Sequence, residues 1–289
     1  MTSPRQLWLR FETYHDVTYF TPESRAATDA VGCKGGWMGY FGTRAAPLGA
    51  ASAAQVTSAF YNFHPDKVAR AVPEVWTVAS PSEFLRVRLS GVDATLRRML
   101  GEEVVEGLAE AASLAVAAAA LASTAGRPLG AANAALPVPD EPHLALWQAT
   151  TTLRESRGDG HVATLVAADL DPCETLALFC ADTGLDPAYM RLARGWSEVE
   201  WAEASVRLAD RGLLAVDGSI TEHGKELRAE IERETDEAAA RPWRALGIER
   251  TTRLAELMLP LARTIAKAND VMRRNPMAID AAADLRAGA

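Results

Sequence analysis

The chain has little cysteine: Cys33, Cys173 and Cys180 in 289 residues. Three are too few and too scattered for a disulfide framework or a cysteine-built zinc site. Cys173 and Cys180 stand seven apart, on one helical face, and read as small core residues. Long apolar runs are missing as well. The nearest, "AASLAVAAAALASTAG", is alanine-rich, shorter than a membrane-spanning helix and flanked by Glu106 and Glu110. It predicts a helix packed closely on all sides. The first residues mix Arg5, Arg10 and Glu12 with apolar positions, unlike a signal peptide, so the expectation is a cytoplasmic protein with no membrane partner. No Walker loop, HExxH, GxSxG or His/Asp/Glu metal spacing is present. No cofactor and no metal are called for, and no known enzyme class is supported. Gly36, Gly39 and Gly42 recur every third residue without a preceding strand, which suits close helix packing rather than a dinucleotide loop.

A basic excess is also lacking. The net charge is −8. Residues 1–140 carry 12 basic and 13 acidic side chains, and residues 141–289 carry 18 and 25. Proteins that grip a duplex draw much of their affinity from Lys and Arg on phosphates, so this balance disfavours DNA.

What is present is helical periodicity almost throughout. The chain reads as mainly α. "GRPLGAANAALPVPDEP", with four prolines, is the candidate junction between a helical domain over 1–140 and a second over 141–289. After it, Gly158-Asp159-Gly160 is expected to break "HLALWQATTTLRESRGDGHVATLVAADLD" into two helices, Asp159 capping the second. Asp-Pro opens two further helices, and Ser197 with Glu200 has capping-box spacing. "LLAVDGSIT" reads as one small hairpin turning at Asp217-Gly218. Two helices close the chain, Glu222 to Ala240 and about Glu249 to Met272, and the tail from Asn275 is expected to fray.

"RLADRGLLA" followed by "ITEHGKELRAEIERETD" resembles the MarR-type winged helix-turn-helix regulators over residues 161–274. Across its whole length the chain also resembles an actinobacterial family of MarR-like winged helix-turn-helix proteins with a helical N-terminal domain, at "WMGYFGTRAAPLGA", "DEPHLALWQATTTLRE" and "RGWSEVEW". The resemblance implies a β-hairpin wing and a recognition helix whose groove-facing turn is Val199, Glu200, Ala202 and Glu203. It gives Ser197, Glu200, Glu203 and Arg207 as the DNA-contacting candidates. It also implies a homodimer, paired through C-terminal helices at Leu254, Leu257, Met258 and Leu261. Yet base readers are hydroxyls, amides and arginines, and here carboxylates stand in their place. A winged helix kept as scaffold, with DNA binding weak or lost, is the competing reading.

Of 19 aromatic residues, 12 lie within the first 80. Aromatic walls with a few convergent polar groups are the usual lining of a small-molecule site. The candidate ligand-binding set is Trp8, Phe11, His15, Tyr19, Trp37, Tyr40, Phe41, Arg44, Phe60 and His64, with Arg154 and His161 of "RESRGDGHV" reaching an anionic group. His15 is either a buried, hydrogen-bonded imidazole or a ligand contact or base. The expected partner is a small apolar or aromatic molecule. The leading function is a small-molecule-binding protein of the MarR-like regulator type; the alternative is a cofactor-free enzyme or drug-sequestering protein.

Overall fold

Helix follows helix in the computed structural model, which describes residues 4–101, 106–269, 273 and 275–287. The N-terminal part contains α1 (Pro4–His15), α2 (Pro22–Ala30), α3 (Gly36–Ala45), α4 (Ala53–Phe60), α5 (Pro65–Ala69), α6 (Val75–Val78) and α7 (Pro81–Leu100). Then come α8 (Leu108–Ala119), α9 (Pro128–Ala134), α10 (Pro142–Ala167), α11 (Pro172–Thr183), α12 (Pro187–Arg194) and α13 (Glu198–Asp210). The chain ends with α14 (Glu222–Ala238), α15 (Arg241–Leu246), α16 (Ile248–Ala268) and α17 (Ala281–Ala287). No described helix is long and apolar enough to cross a membrane.

The organising element is α10, 26 residues long and buried along most of its length. Alanines at 111, 112, 115 and 118 give α8 a flat face that lets it lie close against α10. One core joins both ends of the sequence: Leu7, Phe11 and Tyr14 of α1 meet Trp147 of α10 and Leu254, Met258 and Leu261 of α16. A second core is aromatic, built on Phe41, Phe60, Phe63 and Phe84. Leu165, Leu178, Leu208, Leu213 and Ile231 form a third, around α11, α13 and α14. Asp171 and Asp186 cap α11 and α12 through their side chains, and Ser197 and Glu200 close a full capping box on α13.

The structure corrects several expectations. The hairpin wing is absent, since no strand occurs among the described residues. The segment makes one isolated antiparallel bridge, Leu214 with Ile220. The arms are too short for a ladder: Ala215 and Ser219 close the turn at 2.8 Å, and Thr221 is already the cap of α14. Gly158-Asp159-Gly160 does not break its helix. A side chain at 160 would meet the Arg127 guanidinium at 2.6 Å, so this glycine makes room for a neighbour. Asp159 instead accepts from Gly130 N–H at 2.7 Å, at the start of α9.

The stripe Leu254, Met258 and Leu261 is buried in the chain's own core, and Leu257 packs against Gly107. Pairing through that stripe would require opening the core. The last long helix ends at Ala268; the expected extension to Met272 runs into residues 270–272, outside the described residues. The tail after Asn275 is held rather than frayed. The Asn275 amide donates to Ile279 O at 2.7 Å, and Arg263 donates to Leu285 O at 3.0 Å.

Candidate functional site

The aromatic candidates do not share one cavity. Trp8, Phe11 and Arg154 line a cleft of about 20 Å³ beside Trp243; Phe11 stacks on Trp243 at 5.0 Å. Tyr19 and Tyr40 line another, about 30 Å³, with Arg88. Trp37, Phe41 and Phe60 belong to the aromatic core with Phe63, ring centroids 5–6 Å apart. His161 lies away from these, with Nδ1 2.9 Å from Thr235 Oγ1 and its pKa pushed down to about 4 by burial.

Between the clefts lies a buried charge network that links them. Arg44 grips Glu155 with two nitrogens, at 2.9 and 3.0 Å, and donates to Tyr40 OH at 2.9 Å. Its guanidinium covers the Phe60 ring at 4.2 Å. Arg154 donates to Glu155 at 3.0 Å and to Glu12 at 3.1 Å. Burial works to raise the Glu155 pKa, but Arg44 and Arg154 outweigh it and hold the carboxyl far below the usual range. Asp16 goes the other way: burial, reinforced by Glu12, pushes its pKa well up.

His15 sits inside this network with both nitrogens engaged, Nδ1 2.9 Å from Thr151 Oγ1 and Nε2 3.0 Å from Tyr19 OH. Burial first, then Arg154, holds its pKa well below 6.5. A base with a depressed folded-state pKa contributes stability at pH above its unfolded value and loses it on acidification. Replacing His15 with alanine is therefore expected to cost about 1–3 kcal/mol at neutral pH. It should also flatten the loss of stability from roughly pH 7 to 5, since His15 is one source of the acid sensitivity. Thermal melts of both proteins across that range check this; parallel acid limbs would contradict it.

The pair α12–α13 is fastened to the aromatic part. Arg194, the last residue of α12, lies over Phe63 at 4.6 Å, and its carbonyl accepts from His64 N–H at 2.9 Å. Trp196 Nε1 donates to Asn62 O at 3.0 Å, and Lys67 Nζ donates to Leu192 O at 2.9 Å. His64 Nε2 lies 2.8 Å from Glu200. Glu200 is thus occupied at the base of α13: Ser197 Oγ and N–H reach it at 2.6 and 2.9 Å. The Ser197 hydroxyl, its backbone N–H and His64 hold the carboxyl below the usual range.

Arg207 is occupied too, by Glu174 at 2.8 Å and Asp171 at 2.5 Å. Arg191 pairs with Glu198 at 2.9 Å. The outward face of α13 consequently shows Val199 (66 % exposed), Ala202, Glu203 and Val206. Leu192 of α12 and Val216 of the turn after α13 are exposed as well. Arg207 and Arg211 are exposed beside this face but paired with Asp171 and Glu174, so the face is largely apolar and acidic.

Helix, short turn through Gly195 and capped second helix are the parts of a helix-turn-helix. A family model described as a helix-turn-helix family matches residues 4–272. The chain belongs to that helix-turn-helix family. No curated protein and no solved structure matches it. The match runs through the aromatic N-terminal helices as well as α12–α13, so in this helix-turn-helix protein both parts fall within the family unit.

Sequence reasoning missed Arg88, Glu12, Glu155 and Arg194. Arg88 had a readable signal, because it falls four residues after Phe84 and four before Val92 on the apolar stripe of α7. Glu155 had none, as its partner Arg44 lies 111 residues away.

Proposed function

We propose that this helix-turn-helix protein is a small-molecule-binding protein of the MarR-like transcription-regulator type whose own grip on DNA is weak. The observation that carries the reading is the fastening of α12–α13 to the aromatic part. Arg194 rests on Phe63, Phe63 lies 5.7 Å from Tyr40, and Tyr40 lines a cleft. A ligand that repacks Tyr40 shifts the support under Arg194 and so biases the α12–α13 turn. Allostery needs two sites and a structural element both can bias, and this chain of contacts supplies one. Weak DNA binding follows from the outward face of α13, where Glu203 stands among valines and Arg207 is held by carboxylates.

The test is a thermal-shift screen of charged and neutral aromatic compounds, followed by hydrogen exchange with any binder. A ligand at about 100 times its Kd stabilises by about 2.7 kcal/mol, which for a protein of this size raises Tm by roughly 5 °C or more. Exchange should change at residues 187–210. No shift with any compound, or binding that leaves those amides unaltered, would refute the reading.

A further inference from the structure

Arg88 is only 7 % exposed, and like Arg10, which donates to Ala255 O, and Arg194, which lies over Phe63, it lacks the carboxylate partner that other interior arginines have. Arg44 and Arg154 share Glu155, Arg157 has Asp236 at 2.6 Å, and Arg228 has Asp182 at 3.4 Å. Among the described residues no carboxylate forms an ion pair with Arg88. Its guanidinium lies over the Trp147 ring at 5.1 Å, its Nη atoms reach Thr43 O and Asn133 Oδ1 at 3.4 to 3.5 Å, and its Nε has no hydrogen-bond partner. Burial pushes its pKa down to about 10. A buried guanidinium normally persists only when paired and hydrogen-bonded. Glu155 acts on Arg88 only from a distance, since Arg44 and Arg154 hold it, Glu12 pairs with Arg154, and burial favours the neutral form of Asp16.

Arg88 also lines a cleft between α2, α3 and α7, together with Ser24, Thr28, Tyr19 and Tyr40. The volume, about 30 Å³, has room for two or so water-sized groups, which is the scale of a carboxylate head (roughly 10–15 Å³ holds one water). At the mouth stands Phe20, 40 % exposed, with a left-handed φ of 58°. Its ring lies parallel to Tyr40 at 5.8 Å. A bulky residue adopts that backbone region only at a cost, so its surroundings hold Phe20 there against its conformational preference.

We propose that this cleft binds a small aromatic monocarboxylate, its carboxylate on the Arg88 guanidinium and its ring beside Phe20 and Tyr40. The planar fork of arginine matches a carboxylate with two parallel hydrogen bonds. The proposal rests on the ligand-binding reading above and gives that ligand a charge and a place.

The experiment is a calorimetric titration of the full chain with sodium benzoate and with benzamide, its neutral counterpart. Benzoate is expected to bind at least about tenfold more tightly than benzamide, because only it supplies the missing charge. Arg88→Met should weaken benzoate by about tenfold or more and benzamide far less, since benzamide loses only a neutral hydrogen bond. Its Tm without ligand should equal or exceed that of the wild type, because an unpaired buried charge has been removed. If that variant does not fold, Arg88→Lys keeps the charge, loses the fork, and should weaken benzoate about three- to tenfold.

Equal affinity for benzoate and benzamide, insensitive to Arg88, would overturn the proposal and leave a ligand-binding protein standing. No benzoate binding at millimolar concentration would overturn it as well. Benzoate binding that depends on Arg88 but leaves exchange at residues 187–210 unaltered would uphold this site and sink the regulator reading instead.

Discussion

Replacing Glu155 with glutamine is expected to remove about 3–5 kcal/mol of stability, the usual consequence of taking one partner from a buried ion pair. Glu155 is 1 % exposed and accepts two hydrogen bonds from Arg44 and one from Arg154. Glutamine keeps the volume but directs an amide N–H₂ toward a guanidinium; Arg44 loses its Glu155 carboxylate, and Arg154 keeps only Glu12. At roughly 2–4 °C per kcal/mol, Tm should drop by about 10 °C. The pH dependence has a definite sign. A carboxylate whose folded-state pKa is depressed contributes stability above its unfolded value and loses it as pH falls. The difference between wild type and variant should therefore be constant above about pH 5 and shrink below about 4.3. Denaturant melts at several pH values measure it. A loss under about 1 kcal/mol would mean that the network is no more than a surface ion pair in effect.

The second large effect is a gain. Val199→Arg combined with Glu203→Lys should raise affinity for duplex DNA by about ten- to a hundredfold at low salt. The slope of log K against log salt should steepen by about 2, as each new phosphate contact adds close to one. Both positions are exposed on the outward face of α13, so the fold has little stake in either. Fluorescence anisotropy with a labelled duplex reads the change. An unaltered slope would show that α13 is not the element that meets DNA.

How much of this was legible depended on the range of the interaction. Ser197 with Glu200, and Asp171 and Asp186 before their prolines, are local devices, and each helix begins where those residues stand. The helical class followed from periodicity for the same reason. Apolar stripes were harder, because Leu254 and Met258 look the same whether they face a second copy or the first helix of their own chain. Gly160 was misread because a glycine that breaks a helix and one that admits Arg127 leave the same mark in sequence. The aromatic richness of residues 1–80 was visible, but its division between two clefts and a packed core was not. The charge network was hidden because its contacts span long sequence separations. Glu200 shows both cases: its bond to Ser197 was readable in the capping-box spacing, and its bond to His64, 136 residues away, was not.

The most direct test of the account is the wild-type protein itself, titrated with random and selected duplexes between roughly 50 and 200 mM salt. With Glu203 outward and Arg207 held by Asp171 and Glu174, few phosphates can be neutralised. The expected Kd is no tighter than about 10⁻⁶ M at physiological salt, with a slope shallower than about −2. A Kd near 10⁻⁹ M on a selected sequence, with a slope of about −5 or steeper, would contradict it.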